Sequence, residues 1–163
     1  MNKLLALAFA IFTSFSATVS ALEPMPELIE HRQQQEERFP GDPAQHKVVY
    51  MFNQADEPYQ RAILNSIKAL ISSYEDNIEI AVVVVGPAIQ TLTKSPGEDV
   101  DADVYERMAG FSENYNVRWI ACGNTMNTLH LEQDDMRDFA EYADVGASAL
   151  IALQEKGFAA IYW

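Results

Sequence analysis

The sequence predicts a small doubly wound α/β domain, in which helices cover both faces of a mainly parallel sheet of about five strands and so form three layers. Two observations predict this fold class. From residue 47 onward, short apolar runs rich in β-branched residues alternate with segments of helical periodicity, which is typical of βαβ units. The run IEIAVVVV, residues 78–85, is apolar on both faces, which indicates a central parallel strand between two layers of helices.

The first residues have the features of a secretory signal peptide. Residues 1–21 contain Lys3, then an apolar run, then small residues before a predicted cleavage point after Ala21. The apolar run is shorter than the roughly 20 residues that a membrane span needs. We therefore expect a soluble periplasmic protein that is not membrane-associated after cleavage. The alternative is that the segment stays uncleaved as an N-terminal anchor. Residues 22–46 are polar and proline-containing, and are predicted to be an N-terminal extension with one helix within residues 27–38.

The α/β domain is predicted to span residues 47–163. Its strands, in order, are KVVYMFN (47–53), IEIAVVVV (78–85), VRWIA (117–121), EYADV (141–145) and FAAIYW (158–163). Its helical segments are EPYQRAILNSIKALISSY (57–74), GPAIQTLTKS (86–95), DADVYERMAGFSENYN (101–116), GNTMNTLH (123–130) and GASALIALQEKG (146–157). The second and fourth segments are each predicted to be a turn followed by a short helix. Pro58 suits the first turn of a helix, and Asp103 with Glu106 has the spacing of a capping box.

Composition excludes several classes of function. The formal net charge is −13, and such a surface repels nucleic acid and anionic membranes. One cysteine excludes a disulfide framework within the chain and any multi-cysteine metal site. Glycine-rich phosphate motifs and a nucleophile elbow are absent from the sequence, so nucleotide binding of the usual kinds is not predicted, and no cofactor is expected.

The chemistry of a doubly wound sheet is expected at the carboxyl ends of its strands, where polar loops meet helix N-termini. This rule selects four places in the chain. They are Asn53, residues 86–87, residues 122–125 and residues 145–146.

Cys122 is the predicted centre of this edge, because it directly follows the strand VRWIA. The next residues can begin a helix, and free N–H groups there would stabilise a thiolate and lower the thiol pKa. Gly123 allows close backbone approach, while Asn124 and Thr125 add hydrogen-bond donors. The alternative is a buried structural cysteine that acts as a small hydrophobic residue. The spacing alone leaves both alternatives open.

His130 lies eight residues after Cys122 and would be a base for it if the chain folded back. Without a third, orienting group, a surface histidine is the favoured interpretation. A metal site formed by Cys122 and His130 with Asp134 or Asp135 lacks recognisable ligand spacing. The sequence therefore predicts no metal site.

Five segments, in their order and spacing, resemble the DsrE/DsrF-like family, including its small exported members. They are KVVYMFN, AILNSIKAL, IEIAVVVVGPAIQTL, VRWIACGNTM and ADVGASALIALQEKGFAAIYW. The resemblance covers residues 47–163. It implies a flavodoxin-like α/β fold that assembles into trimers or hexamers, and the terminal aromatic pair Tyr162-Trp163 agrees with such association.

The resemblance also implies a chemistry. Well-understood family members hold sulfur as a persulfide on a cysteine at the end of a central strand and pass it between proteins, and Cys122 occupies the matching place. The implied partners are further copies of the chain and a sulfur donor or acceptor protein. By position and resemblance, the residues expected to line the pocket of the thiol are Asn53, Asn65, Gly86, Gly123, Asn124 and Thr125.

The leading hypothesis is thus an exported persulfide carrier, sulfurtransferase-like, that uses Cys122. The alternative is a non-catalytic oligomeric module that binds a small molecule or a protein, in which Cys122 only packs. A third hypothesis is a thiol-based redox sensor, which would form a sulfenic acid with peroxide and retain no sulfur.

Overall fold

A computed structural model describes residue 39, residues 41–97 and residues 100–162 of the chain. The predicted signal peptide, the predicted helix within residues 27–38 and Trp163 lie outside these described residues.

The described chain folds as an alternation of strands and helices. The strands are β1 (His46–Phe52), β2 (Ile78–Val84), β3 (Arg118–Cys122), β4 (Ala140–Ala143) and β5 (Ala159–Ile161). The α-helices are α1 (Glu57–Tyr74), α2 (Ala102–Tyr115), α3 (Gly123–Thr128) and α4 (Gly146–Glu155), and two 3₁₀ helices span Gly86–Leu92 and Gln133–Asp135. Each predicted strand and helix of the domain is present, although β1 begins at His46, which the sequence pattern assigns to the extension.

The five strands form one sheet in the order β4-β3-β2-β1-β5, and every pairing is parallel. The order reverses after β4, because β5 returns to the far side of β1, as expected of a doubly wound fold. The central strand β2 is the apolar run whose residues were predicted to be buried on both faces. From Ile80 to Val84 the strand is buried throughout.

Helices pack on both faces of the sheet. On one face, α1, α2, α3 and the first 3₁₀ helix contribute to a core that contains Ile67, Met108 and Trp119. On the other face, α4 contributes Leu150 and Leu153 to a smaller core with Val83 and other strand residues. The three-layer α/β prediction is confirmed.

The predicted capping box at the start of α2 is wrong. The residue that caps α2 is Asp101, whose side chain accepts a hydrogen bond from the backbone N–H of Asp103. Asp103 already belongs to the first turn, where its carboxylate accepts a hydrogen bond from Arg61 of α1 at 2.6 Å. Arg61 also reaches Asp101 at 2.9 Å, so that both carboxylates join the start of α2 to α1.

Candidate functional site

The candidate site lies where β2 and β3 end and where α3 and α4 begin. Because all strands are parallel, their carboxyl ends meet at one edge of the sheet. Hydrogen bonds join the loops at this edge: the N–H of Gly86 donates to the hydroxyl of Thr125 at 3.0 Å, and the N–H of Asn124 donates to the carbonyl of Asp144 at 3.0 Å. Together with a hydrogen bond between the N–H of Gly146 and the sulfur of Cys122, these bonds join three of the four places predicted from sequence.

The centre of this edge is the thiol of Cys122, the last residue of β3. Cys122 is buried, with 6% of its surface exposed. The backbone N–H of Gly146, at the start of α4, donates to its Sγ at 3.2 Å. The backbone N–H and the hydroxyl of Thr125, and the backbone N–H of Asn124, also interact with the sulfur. We call Cys122 together with these donors of Asn124, Thr125 and Gly146 the thiol site.

The thiol site favours the thiolate. Burial raises the pKa of the Cys122 thiol, but the nearby N–H groups of Thr125 and Gly146, and then the Thr125 hydroxyl and the N–H of Asn124, lower it further than burial raises it. The net result is a pKa below that of an ordinary cysteine. The Thr125 hydroxyl suits this role because its oxygen accepts the Gly86 N–H, which leaves its own hydrogen for Sγ.

This arrangement depends on two glycines, Gly123 and Gly146, because neither position has space for a side chain. A Cβ on Gly146 would lie 2.7 Å from Cγ1 of Val85 and 3.2 Å from Sγ of Cys122. A Cβ on Gly123 would lie 2.5 Å from the hydroxyl of Tyr142 and 2.9 Å from the carbonyl oxygen of Asp144. Gly123 thus acts by packing, and Gly146 by bringing a backbone N–H into contact with the sulfur.

A cavity of about 610 Å³ adjoins the thiol site. Of the predicted site residues, Gly86, Asn124 and Thr125 line it. Asn124 and Thr125 belong to both the cavity wall and the thiol site, while Cys122 itself is not among the lining residues. We call this space the Gln60 cavity, after a buried side chain in its wall.

Two of the predicted pocket residues, Asn53 and Asn65, do not line the Gln60 cavity. Asn65 is exposed on the side of α1 that faces α2, where its carbonyl accepts a hydrogen bond from Arg107 at 2.9 Å. Asn65 is absent from the described wall of the cavity because α1 begins at the carboxyl edge of the sheet and runs away from it. Position 65 lies more than one helical turn from that edge. The side chain of Asn53 does remain at this edge, but it accepts a hydrogen bond from the hydroxyl of Tyr59 at 2.9 Å instead of lining the cavity.

His130 does not act on the sulfur in this arrangement. It follows α3 with a backbone φ of 56° and is exposed, and it is not among the described groups that hydrogen-bond to Cys122. In the described part of the chain, no three side chains of His, Cys, Asp or Glu are placed to hold a metal ion.

The sequence selects Gly146 only as part of the strand end at residues 145–146, and it does not select Gln60. Gln60 follows Asp56 by four positions and lies on the apolar stripe of α1 together with Ile63 and Ile67. A polar residue on such a stripe, at the helix end nearest the carboxyl edge of the sheet, is a signal that points to this site.

The fold and the site define a flavodoxin-like α/β protein with one buried thiol at the carboxyl edge of its parallel sheet. The chain belongs to the DsrE/DsrF-like family, whose model matches residues 46–163, more than half of the sequence. Membership of this family suggests a role related to sulfur metabolism.

A solved structure with a similar fold is that of a protein of unknown function from Methanobacterium thermoautotrophicum. The two proteins have 20% sequence identity and a TM-score of 0.64, and the match covers 72% of this chain and 99% of the other. At this identity the likeness shows the fold alone.

No curated protein matches the chain. Among the described helices, none combines the length and the apolar character that crossing a membrane requires.

The Thr125 hydroxyl, which contributes to lowering the pKa of Cys122, provides a test of the thiol site. Replacing Thr125 with Val removes this donor and is expected to raise the pKa of Cys122, because the thiolate loses one of the groups that stabilise it. The measurement is the pH dependence of alkylation by iodoacetamide, whose midpoint in the native protein is expected below the value of about 8.5 for a free cysteine.

Thr125→Ser is the matched control, since it keeps the hydroxyl and should keep the low midpoint. Circular dichroism melting of both variants checks that each is folded. A native midpoint at or above about 8.5, or the same midpoint in the Val and Ser variants, would contradict the assignment.

Proposed function

We propose that this protein is an exported, sulfurtransferase-like persulfide carrier in which Cys122 holds the transferred sulfur. The observation that supports this proposal best is the set of hydrogen-bond donors around a single cysteine at the end of β3. A buried structural cysteine requires no such donors, whereas a reacting thiolate is stabilised by them. Membership of the DsrE/DsrF-like family agrees with this chemistry.

The proposed reaction is an exchange without net oxidation. The Cys122 thiolate attacks the outer, sulfane sulfur of a donor persulfide, the sulfur–sulfur bond of the donor breaks, and the donor leaves as a thiolate. Cys122 then holds a persulfide. In the second half of the cycle, an acceptor thiolate attacks the outer sulfur of this persulfide, and Cys122 leaves as the thiolate that the thiol site stabilises.

The thiol site has a defined task in each half-reaction. The N–H groups of Thr125 and Gly146 stabilise the Cys122 thiolate before attack and again when it is the leaving group. A lower pKa of the leaving thiol makes its departure faster. The donors therefore favour release of the sulfur to the acceptor as well as its capture.

Mass spectrometry tests this function directly. Incubation with inorganic polysulfide is expected to add about 32 Da, one sulfur atom, to the native protein and nothing to the Cys122→Ser variant. The adduct should disappear with an excess of dithiothreitol. Absence of an adduct that depends on Cys122 would reject the carrier function and favour the non-catalytic binding module. A sulfenic acid formed with peroxide, without retention of sulfur, would favour the redox sensor.

We also propose that the chain self-associates as a trimer or hexamer. The exposed apolar side chains that support association include Tyr142, Ile151 and Tyr162, the last being 60% exposed. Size-exclusion chromatography with multi-angle light scattering is expected to give three or six times the monomer mass. A monomer that persists at high protein concentration would contradict this prediction.

Export is the remaining part of the proposal, and the signal-like composition of residues 1–21 supports it. In a bacterial host, the intact mass of the protein recovered from the periplasm is expected to correspond to a chain that begins at Leu22. Recovery of the full-length chain from the cytoplasm alone would count against export.

A further inference from the structure

The side chain of Gln60 is an unusual feature of the cavity beside the thiol site. Only 1% of the residue's surface is exposed. Its Nε2 donates to the carbonyl oxygen of Ala55 at 2.6 Å, whereas its Oε1 has no hydrogen-bond partner within the described residues. Leaving a buried acceptor unpaired costs about 1–3 kcal/mol. An apolar residue would avoid this cost, so the position favours a role for the free acceptor.

The described residues of the surrounding wall are uncharged and mainly apolar. Pro87, Val100 and Leu129 provide apolar surface, and Gln90 and Asn124 add neutral amides. None of the described lining residues carries a charge, although the chain as a whole has a formal net charge of −13. A charged ligand would lose hydration here without gaining a counter-charge from the described lining residues, which disfavours its binding.

The volume of the Gln60 cavity fits a small organic molecule. The cavity volume of about 610 Å³ lies within the range of roughly 300–1,000 Å³ that is common for sites of small ligands. Because Asn124 and Thr125 are shared with the thiol site, a molecule in the cavity lies against residues that contact the sulfur of Cys122.

We propose that the Gln60 cavity binds an uncharged, low-molecular-weight organic thiol, and that the buried amide of Gln60 turns toward the bound ligand, so that an amide N–H or hydroxyl of this ligand donates to its Oε1. The assignment of a thiol group to the ligand rests on the proposed function, in which the ligand is the sulfur acceptor. The thiolate of the ligand attacks the outer sulfur of the Cys122 persulfide and releases the Cys122 thiolate, so that the ligand becomes the new persulfide. The binding itself requires no sulfur chemistry.

Pantetheine is a suitable probe, because it is an uncharged thiol with amide N–H groups. Isothermal titration of the full chain carrying Cys122→Ser, which prevents covalent reaction, is expected to show saturable binding of pantetheine. Glutathione is the matched charged thiol, and it should not saturate at the same concentrations. The Gln60→Met variant should bind pantetheine roughly 3- to 10-fold more weakly, which is the effect of losing one hydrogen bond. The control is Asn65→Ala, because Asn65 is on α1 but outside the described wall, and this variant should bind pantetheine with unchanged affinity.

Leu129→Glu is a second variant that does not disturb the core, since Leu129 is 43% exposed. It places a charge in the apolar wall and should also weaken pantetheine binding. Absence of saturable pantetheine binding, equal affinity in the Gln60→Met variant, or stronger binding of glutathione would each overturn the proposal. Pantetheine binding by the Cys122→Ser chain, combined with no polysulfide adduct on the native protein, would support the cavity and reject the carrier function.

Discussion

The contact between the sulfur of Cys122 and the backbone N–H of Gly146 is the constraint on which the candidate site depends. At 3.2 Å, it brings the first turn of α4 directly against the end of β3. The approach requires glycine, because a Cβ would meet Val85 and the sulfur itself. One short contact thus fixes the position of a helix and the electrostatic surroundings of the thiol at the same time.

The sheet supplies the rigidity that this contact needs. Strands β2 and β3 lie in the interior of the sheet, with their side chains buried over most of their length, and their ends are therefore held firmly. The polar groups that contact the sulfur arise where the chain leaves these strands. Thr125 connects the two strand ends, because it accepts a hydrogen bond from Gly86 after β2 and interacts with the sulfur at the end of β3.

The fold could be predicted from sequence to a large extent, because apolar periodicity and turn residues are local signals. The bounds of α1, Glu57–Tyr74, agree with the prediction, and Cys122 lies at the strand end where the pattern placed it. The details of the site could not be predicted in the same way. The exclusion of Asn65 and the presence of Gln60 depend on how α1 is rotated and positioned against the sheet, and such tertiary placement is not contained in helical periodicity.

The burial of Cys122 also restricts which covalent dimers can form. A disulfide brings two sulfur atoms to about 2.05 Å, yet only 6% of the surface of Cys122 is exposed in the fold. A disulfide between two folded copies requires both recessed sulfurs to reach each other past the residues that surround them. The burial of the thiol thus disfavours cross-linking of the folded protein to itself through Cys122.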